Sequence, residues 1–315
     1  MAIPRKCSIK LALSIVADVV CLFIVSALLA VFQFAVEPFH RGFFCDDESL
    51  KHPIKSDTIS IALAAGVGFS IPFVLIICIE FLLRDGKSFY ILSSQTLYPK
   101  QKFFSAMYNS IGVFIFGNVV NQFLTEIGKN VVGRLRPHFL TLCQPDYSKF
   151  NCSDGYITEN VCTTKNLDML KEARLSFPSG HSSFTAFCML YIILYLEARV
   201  SVRDLVLLKP VVQLAMFCFT FYTCLSRISD YKHHWSDVLG GAILGFAVCL
   251  CVVYTLTDFG KFMSKRRIIC LSNDLDGYIS GQRTDSSALP ESAKAHAVIT
   301  QENELPRSSH AINYN

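Results

Sequence analysis

Charge is scarce in this chain. Of its 315 residues, 17% are Asp, Glu, Lys or Arg and 52% are hydrophobic, and the mean hydropathy is +0.40. That balance excludes an ordinary water-solvated domain as a description of the whole molecule. The net charge of +4 is not gathered into a stripe. Basic residues fall between apolar runs, which excludes a nucleic-acid surface. No small-residue cleavage site follows the first apolar run, which is also too long for the core of a signal peptide, so it reads as a retained span. Neither an internal repeat nor a second globular domain is visible.

What the chain does have is six long apolar stretches, at about Leu11 to Val36, Thr58 to Leu83, Phe104 to Gly128, Ser183 to Leu196, Leu208 to Leu225, and Val238 to Phe259. Crossing about 30 Å of hydrocarbon takes a helix of about 20 mostly apolar residues. Within lipid the backbone must satisfy its own hydrogen bonds. The expectation is an all-α, six-transmembrane helix bundle over residues 1–263, with short extramembrane helices and loops. The fourth stretch is short, and its start merges with the polar segment Ser179 to Ser183. Residues 264–315 turn to Ser, Asn, Asp, Glu and Pro without a period, the composition of a disordered tail. Asp18 is an intramembrane charge, expected either to find a structural partner inside the bundle or to serve a proton or substrate path.

Six crossings put both termini on one side of the membrane and the first, third and fifth loops together on the other. The Lys and Arg distribution leans only weakly toward cytosolic termini. Asn151-Cys152-Ser153 in the third loop is a glycosylation sequon, usable only in a lumenal or extracellular segment, and it points the same way. Of thirteen cysteines, Cys45, Cys143, Cys152 and Cys162 lie in the first and third loops, where an oxidising compartment would let them pair. Spacing does not assign the pairing.

Three polar motifs sit at the edges of the apolar stretches. The third loop opens with KNVVGRLRP, from Lys129 to Pro137, and closes with PSGH, from Pro178 to His181; the fifth carries SRISDYKHHWSD, from Ser226 to Asp237. Singly, each has an ordinary explanation. Lys129 could snorkel, Ser179 could cap a helix, and His234 and Trp235 could belong to an interfacial belt. Parity, however, delivers all three to one surface. A phosphate monoester needs converging cations and donors, and Lys129, Arg136 and Arg227 supply them. Ser179 and the Gly180 and His181 amides would stand at a helix start, where an anion is favoured. His233 and Asp237 are four apart, so on a helical turn the carboxylate would orient the imidazole as a nucleophile. His181, from another segment, would protonate the leaving group.

These motifs, written K-x6-R-P, P-S-G-H and S-R-x5-H-x3-D, match at every defining position, and the sequence resembles the lipid phosphate phosphatases, also called type 2 phosphatidic acid phosphatases. The likeness runs from about Ala17 to Phe259, includes RGFFCDDES in the first loop, and is strongest to animal plasma-membrane type 1 and type 3 members. The resemblance implies a metal-independent hydrolase acting on phosphatidate, lysophosphatidate, sphingosine 1-phosphate and ceramide 1-phosphate, with no cofactor. It implies that His233 forms a phosphohistidine, Asp237 orients it and His181 is the proton donor, while Lys129, Arg136, Ser179, Gly180 and Arg227 hold the phosphate. The expected partners are membrane lipids and lipid phosphate substrates. Homo-oligomerisation, the preferred lipid and the role of the tail stay open.

Overall fold

The structure is a computed structural model that describes residues 5–84, 100–200 and 206–257. The tail assigned to residues 264–315 lies outside the described residues. Six long helices form the bundle: α1 (Arg5–Phe34), α2 (Ile61–Arg84), α3 (Lys100–Val132), α6 (Gly180–Arg199), α7 (Leu208–Ser229) and α8 (Trp235–Leu256). Each is long and apolar enough to cross a membrane. Two short helices, α4 (Phe139–Cys143) and α5 (Leu167–Glu172), belong to the third loop. Among the described residues the β-type pairing is confined to two isolated bridges, Phe43 with Ile157 and Pro145 with Cys162. The molecule is an all-α six-span bundle.

The spans depart from the apolar runs at their polar ends. α3 continues to Val132, so Lys129 lies in its last turn; α7 continues to Ser229 and carries Arg227 in its last turn; α6 begins at Gly180 and takes in His181. Hydropathy misplaces these ends because a helix continues through polar residues wherever protein receives their side chains. The same reason explains the short fourth stretch. α6 is the central helix, packed against α2, α3, α7 and α8; 67% of its span window is buried inside the protein, against 0% for α1. Buried among neighbours, it accommodates Ser182, Ser183 and Thr185 without exposing a hydroxyl to lipid. Around it Ile76, Phe114, Phe187, Tyr191, Ile192 and Val252 form the membrane core.

α6 and α8 approach closely because α8 presents glycines. A Cβ at Gly241 would collide with the Ser179 carbonyl oxygen, and one at Gly245 with the Ser183 carbonyl oxygen. Small residues four apart are how membrane helices bring their backbones together. On α1, Asp18 accepts a hydrogen bond from Tyr108 of α3 at 2.9 Å, a partner on the exposed side of the two helices rather than inside the bundle.

The first and third loops fold into a cap with its own core of Phe43, Leu50, Leu135, Phe139, Leu142 and Ile157. Two disulfides assign the pairing that spacing left open: Cys45–Cys152 ties the first loop to the third, and Cys143–Cys162 closes a turn within the third. Gly133 starts the cap. Its φ of +55° is a left-handed conformation that glycine adopts without strain, and it ends α3 with its amide on the Lys129 carbonyl at 3.0 Å.

Gly245→Leu is expected to force α6 and α8 apart and lower stability by about 1–3 kcal/mol, read as a fall in the thermal unfolding midpoint in detergent. Gly66→Ala, where an added Cβ meets nothing within 4 Å, is expected to leave that midpoint unchanged.

Candidate active site

A cavity of about 430 Å³ opens where the bundle meets the cap. Its wall includes Lys129 from α3, Arg136 after it, Gly180 and His181 from α6, Arg227 from α7, and His233 from the turn before α8. All three motifs therefore meet in one space. The fifth-loop turn makes this convergence specific. Tyr231 adopts a left-handed φ of 54°, uncommon for a residue with a side chain, and ends α7. Lys232 and His233 then donate their amides back to the Arg227 carbonyl at 3.1 and 3.2 Å. The Tyr231 ring is flanked by His52 at 4.5 Å and Lys55 at 4.4 Å.

His233 is 4% exposed, and its Nδ1 lies 2.8 Å from the Ser176 carbonyl oxygen. A carbonyl only accepts, so Nδ1 carries the proton and, in the neutral ring, Nε2 keeps the free lone pair. Burial first, then the nearby Arg136 cation, hold this imidazole well below the ordinary histidine range, against the opposing hydrogen bond to Ser176. His138, another wall residue, is also lowered by burial, while its Nδ1 lies 2.9 Å from the Tyr231 carbonyl.

Asp237 does not touch that imidazole. Helix α8 begins at Trp235, with His234 as its N-cap, so His233 precedes the helix and the four-residue spacing places no shared face. The expected carboxylate–imidazole contact is corrected to a relay through main chain. Asp237, fully buried, accepts from Arg134 Nη1 at 2.6 Å, from Ser176 Oγ at 2.6 Å and from the His234 amide at 3.0 Å. It thus grips the residue whose carbonyl holds His233. Arg134 and Ser176 carry no motif label. Arg134 lies inside the first motif's variable stretch, and Ser176 is two residues before the second motif.

The cations are paired with acids that sequence reading missed. Lys129 binds Glu126 at 2.6 Å, Arg136 binds Glu172 at 3.1 Å, and Arg227, 1% exposed, binds Asp57 at 2.7 Å and Asp230 at 2.9 Å. Asp230 also accepts from the Thr58 amide and hydroxyl, each at 2.7 Å, which fastens the first loop to the end of α7. The acids come from α3, the first loop, α5 and the α7 end, so only Glu126 and Asp230 had a helical offset by which they could have been found.

Two wall residues have unsatisfied buried nitrogens: Arg136 Nε and His181 Nε2 have no hydrogen-bond partner. Natively buried polar atoms are nearly always satisfied, so such a pair in one cavity marks a place for a ligand with acceptor oxygens. Gly180 permits the arrangement. A Cβ there would stand 3.4 Å from Lys129 Nζ, which leaves the lysine lying over the first turn of α6, where backbone amides have no intrahelical acceptor. Ser179 differs from the expectation. It is fully buried, outside the cavity wall, and its hydroxyl accepts from Ser182 at 3.1 Å. Its amide donates to the Asp237 carbonyl at 3.0 Å, which joins the starts of α6 and α8.

Comparison with known proteins agrees with this geometry. Residues 110–261 match the model of the PAP2 superfamily. Phospholipid phosphatase 1 of Mus musculus is 44% identical over 248 residues, covering 78% of this chain and 84% of its own. The Rattus norvegicus phospholipid phosphatase 1 is 45% identical over 249 residues, covering 78% and 86%. Phospholipid phosphatase 2 of Homo sapiens is 40% identical over 250 residues, covering 78% and 84%. No solved structure matches the chain significantly. With three motifs around one cavity and relatives of this similarity over most of its length, the chain belongs to the phospholipid phosphatase family of the PAP2 superfamily.

Proposed function

We propose that this phosphatase removes phosphate from membrane lipid monoesters, among them phosphatidate, lysophosphatidate, sphingosine 1-phosphate and ceramide 1-phosphate, through a phosphohistidine on His233. The observation that carries the reading is the unsatisfied pair Arg136 Nε and His181 Nε2, on residues that line one cavity with Lys129, Arg227 and His233.

His233 Nε2 attacks phosphorus while Nδ1–H stays on the Ser176 carbonyl. Lys129, Arg136, Arg227 and the first amides of α6 stabilise the charge spread over the equatorial oxygens, so the site works mainly by positioning and electrostatics. His181, across the cavity on α6, gives its proton to the lipid alcohol as the P–O bond breaks. It then takes a proton from the water that attacks the phosphohistidine, inorganic phosphate leaves, and His233 is regenerated with its lone pair. Asp237 positions this machinery through Ser176 and the His234 amide, and Ser179 through its main-chain link to Asp237. The phosphate's charge is met by three side-chain cations, and the mechanism routes no step through a metal.

The cap supports an assignment of the membrane side. Its two disulfides need an oxidising compartment, and the exposed Asn151 sequon belongs to the same cap. Both support a lumenal or extracellular site and, by the parity of six crossings, cytosolic termini; glycosylation at Asn151 and residence in the plasma membrane belong to the same proposal. Ile61, Ala64, Ala65 and Phe69 of α2 line the bilayer side of the cavity, so lipid tails can stay in hydrocarbon while the phosphate enters.

Rapid-quench labelling with radioactive lysophosphatidate is expected to trap an acid-labile phosphoenzyme in the wild type and none in His233→Ala. His181→Ala is expected to lower turnover roughly 10²–10⁴-fold. A labelled His233→Ala protein would refute the assigned nucleophile.

Because His233 is held below its ordinary value of about 6.5, it stays neutral and nucleophilic as pH falls through 6.5. Once the substrate's own second ionisation is divided out, the acid limb of kcat/KM is expected below pH 6.5. A limb centred at or above that value would contradict the burial argument.

Asp237→Asn leaves Arg134 without its carboxylate and weakens the grip on Ser176. Expected are a loss of about 1–3 kcal/mol of stability and a reduced kcat with KM little changed, measured by detergent unfolding and steady-state kinetics.

A further inference from the structure

A carboxylate beside a phosphate site needs a reason, since it repels the ligand that the site is built to hold. Asp57 and Glu172 have one on the aqueous side. They belong to the cap, their side chains are 38% and 59% exposed, and water screens them. Glu126 is different. It projects from the membrane-spanning helix α3, its side chain is 14% exposed, and it lines the cavity with Gln122 and Asn118 on successive turns of the same helix face. The same cavity is lined by Ala64, Ala65 and Phe69 of α2 and Phe184 of α6. Among the described residues of the cavity wall, Glu126 is the one carboxylate on a membrane span.

Its distance from the phosphate is bounded by the ion pair. Glu126 Oε1 lies 2.6 Å from Lys129 Nζ. A phosphate oxygen accepting from that ammonium at roughly 2.8 Å cannot be more than about 5.4 Å from the carboxylate. Once phosphate shares Lys129, Glu126 has half a partner and sits beside the part of the substrate that follows the phosphate toward the bilayer. In a lipid whose second carbon bears an amine, four covalent bonds of about 1.5 Å separate phosphorus from nitrogen, a reach of about 4–5 Å. A cation there would restore what phosphate takes from Glu126.

We propose that Glu126 forms an ammonium subsite, and that this chain therefore favours lipid phosphates carrying a protonated amine on the carbon next to the phosphate-bearing one. This rests on the lipid phosphatase reading above and adds the substrate class. Glu126 does no chemistry. It binds the substrate's cation and leaves the ester cleavage to the two histidines.

The test uses the full chain in mixed detergent micelles with three lipids of matched chain length: sphingosine 1-phosphate, its analogue with a hydroxyl in place of the amine, and lysophosphatidate. In the wild type, replacing amine by hydroxyl is expected to lower kcat/KM at least about tenfold, the size of a charge-assisted hydrogen bond. In Glu126→Gln the amine-to-hydroxyl ratio is expected to collapse to within about threefold, since the amide keeps the shape and loses the charge. Equal wild-type rates on amine and hydroxyl lipids would overturn the subsite, whether or not the variant can be purified. A Glu126→Gln ratio as large as the wild type's would also overturn it and leave Glu126 the role of holding Lys129. Release of phosphate from none of the three lipids by the wild type would instead sink the phosphatase reading itself.

Discussion

A single buried carboxylate holds the site's segments in register. Asp237 is fully buried and receives the Arg134 guanidinium, the Ser176 hydroxyl and the His234 amide, while its own carbonyl accepts the Ser179 amide. These contacts come from the start of the third loop, its end, the turn before α8 and the start of α6. A buried carboxylate is tolerated only when its oxygens are met by donors, so the four segments must close around it together. His233 inherits its orientation from that closure, because the residue gripped through its hydroxyl offers its carbonyl to the imidazole.

The cationic wall follows a similar logic with the signs reversed. Lys129, Arg136 and Arg227 would repel one another and unfold the mouth of the cavity if left alone. Glu126 compensates Lys129, Glu172 compensates Arg136, and Asp57 and Asp230 together compensate Arg227. In the proposed reading, a phosphate would enter a cradle whose cations are already in position, and would share donors that the acids do not saturate, such as Arg136 Nε. The arrangement trades some affinity for preorganisation, which is what charge stabilisation in a transition state requires.

The bilayer as solvent shapes the rest. Outer helix α1 packs on α3 and leaves most of its apolar side chains exposed, whereas central α6 is sheathed by protein and carries the serines and threonines that lead to the site. The glycines of α8 let the two helices approach at the level where Ser179 and Ser183 sit. Above them the disulfide-bonded cap brings Asp57 onto Arg227 and Thr58 onto Asp230, so the cavity is roofed by loops and floored by the membrane core.

Much of this is readable from residues alone, because hydrocarbon imposes a length on every crossing and parity then assigns each loop to a face. Six apolar runs specify the bundle, and three gapped motifs name Lys129, Arg136, Gly180, His181, Arg227 and His233, all of which line one cavity. The reading of Asp237 failed for a local reason. Spacing by four means a shared face only inside a helix, and His234 caps the helix one residue too late for His233 to be in it. Asp57, Glu172, Arg134 and Ser176 were invisible, since ion pairs and carbonyl contacts between distant segments leave no periodic trace, whereas Glu126 stands three residues before Lys129 on one helix and left an offset that could have been read. Sequence by itself determined the architecture and the meeting of the three motifs on one face, because those depend on local composition, crossing parity and the solvent. Only the tertiary structure decided the cysteine pairing, the tautomer of His233 and the partners that Arg136 and Arg227 find in Glu172 and Asp57, because those depend on which distant groups come within hydrogen-bond reach.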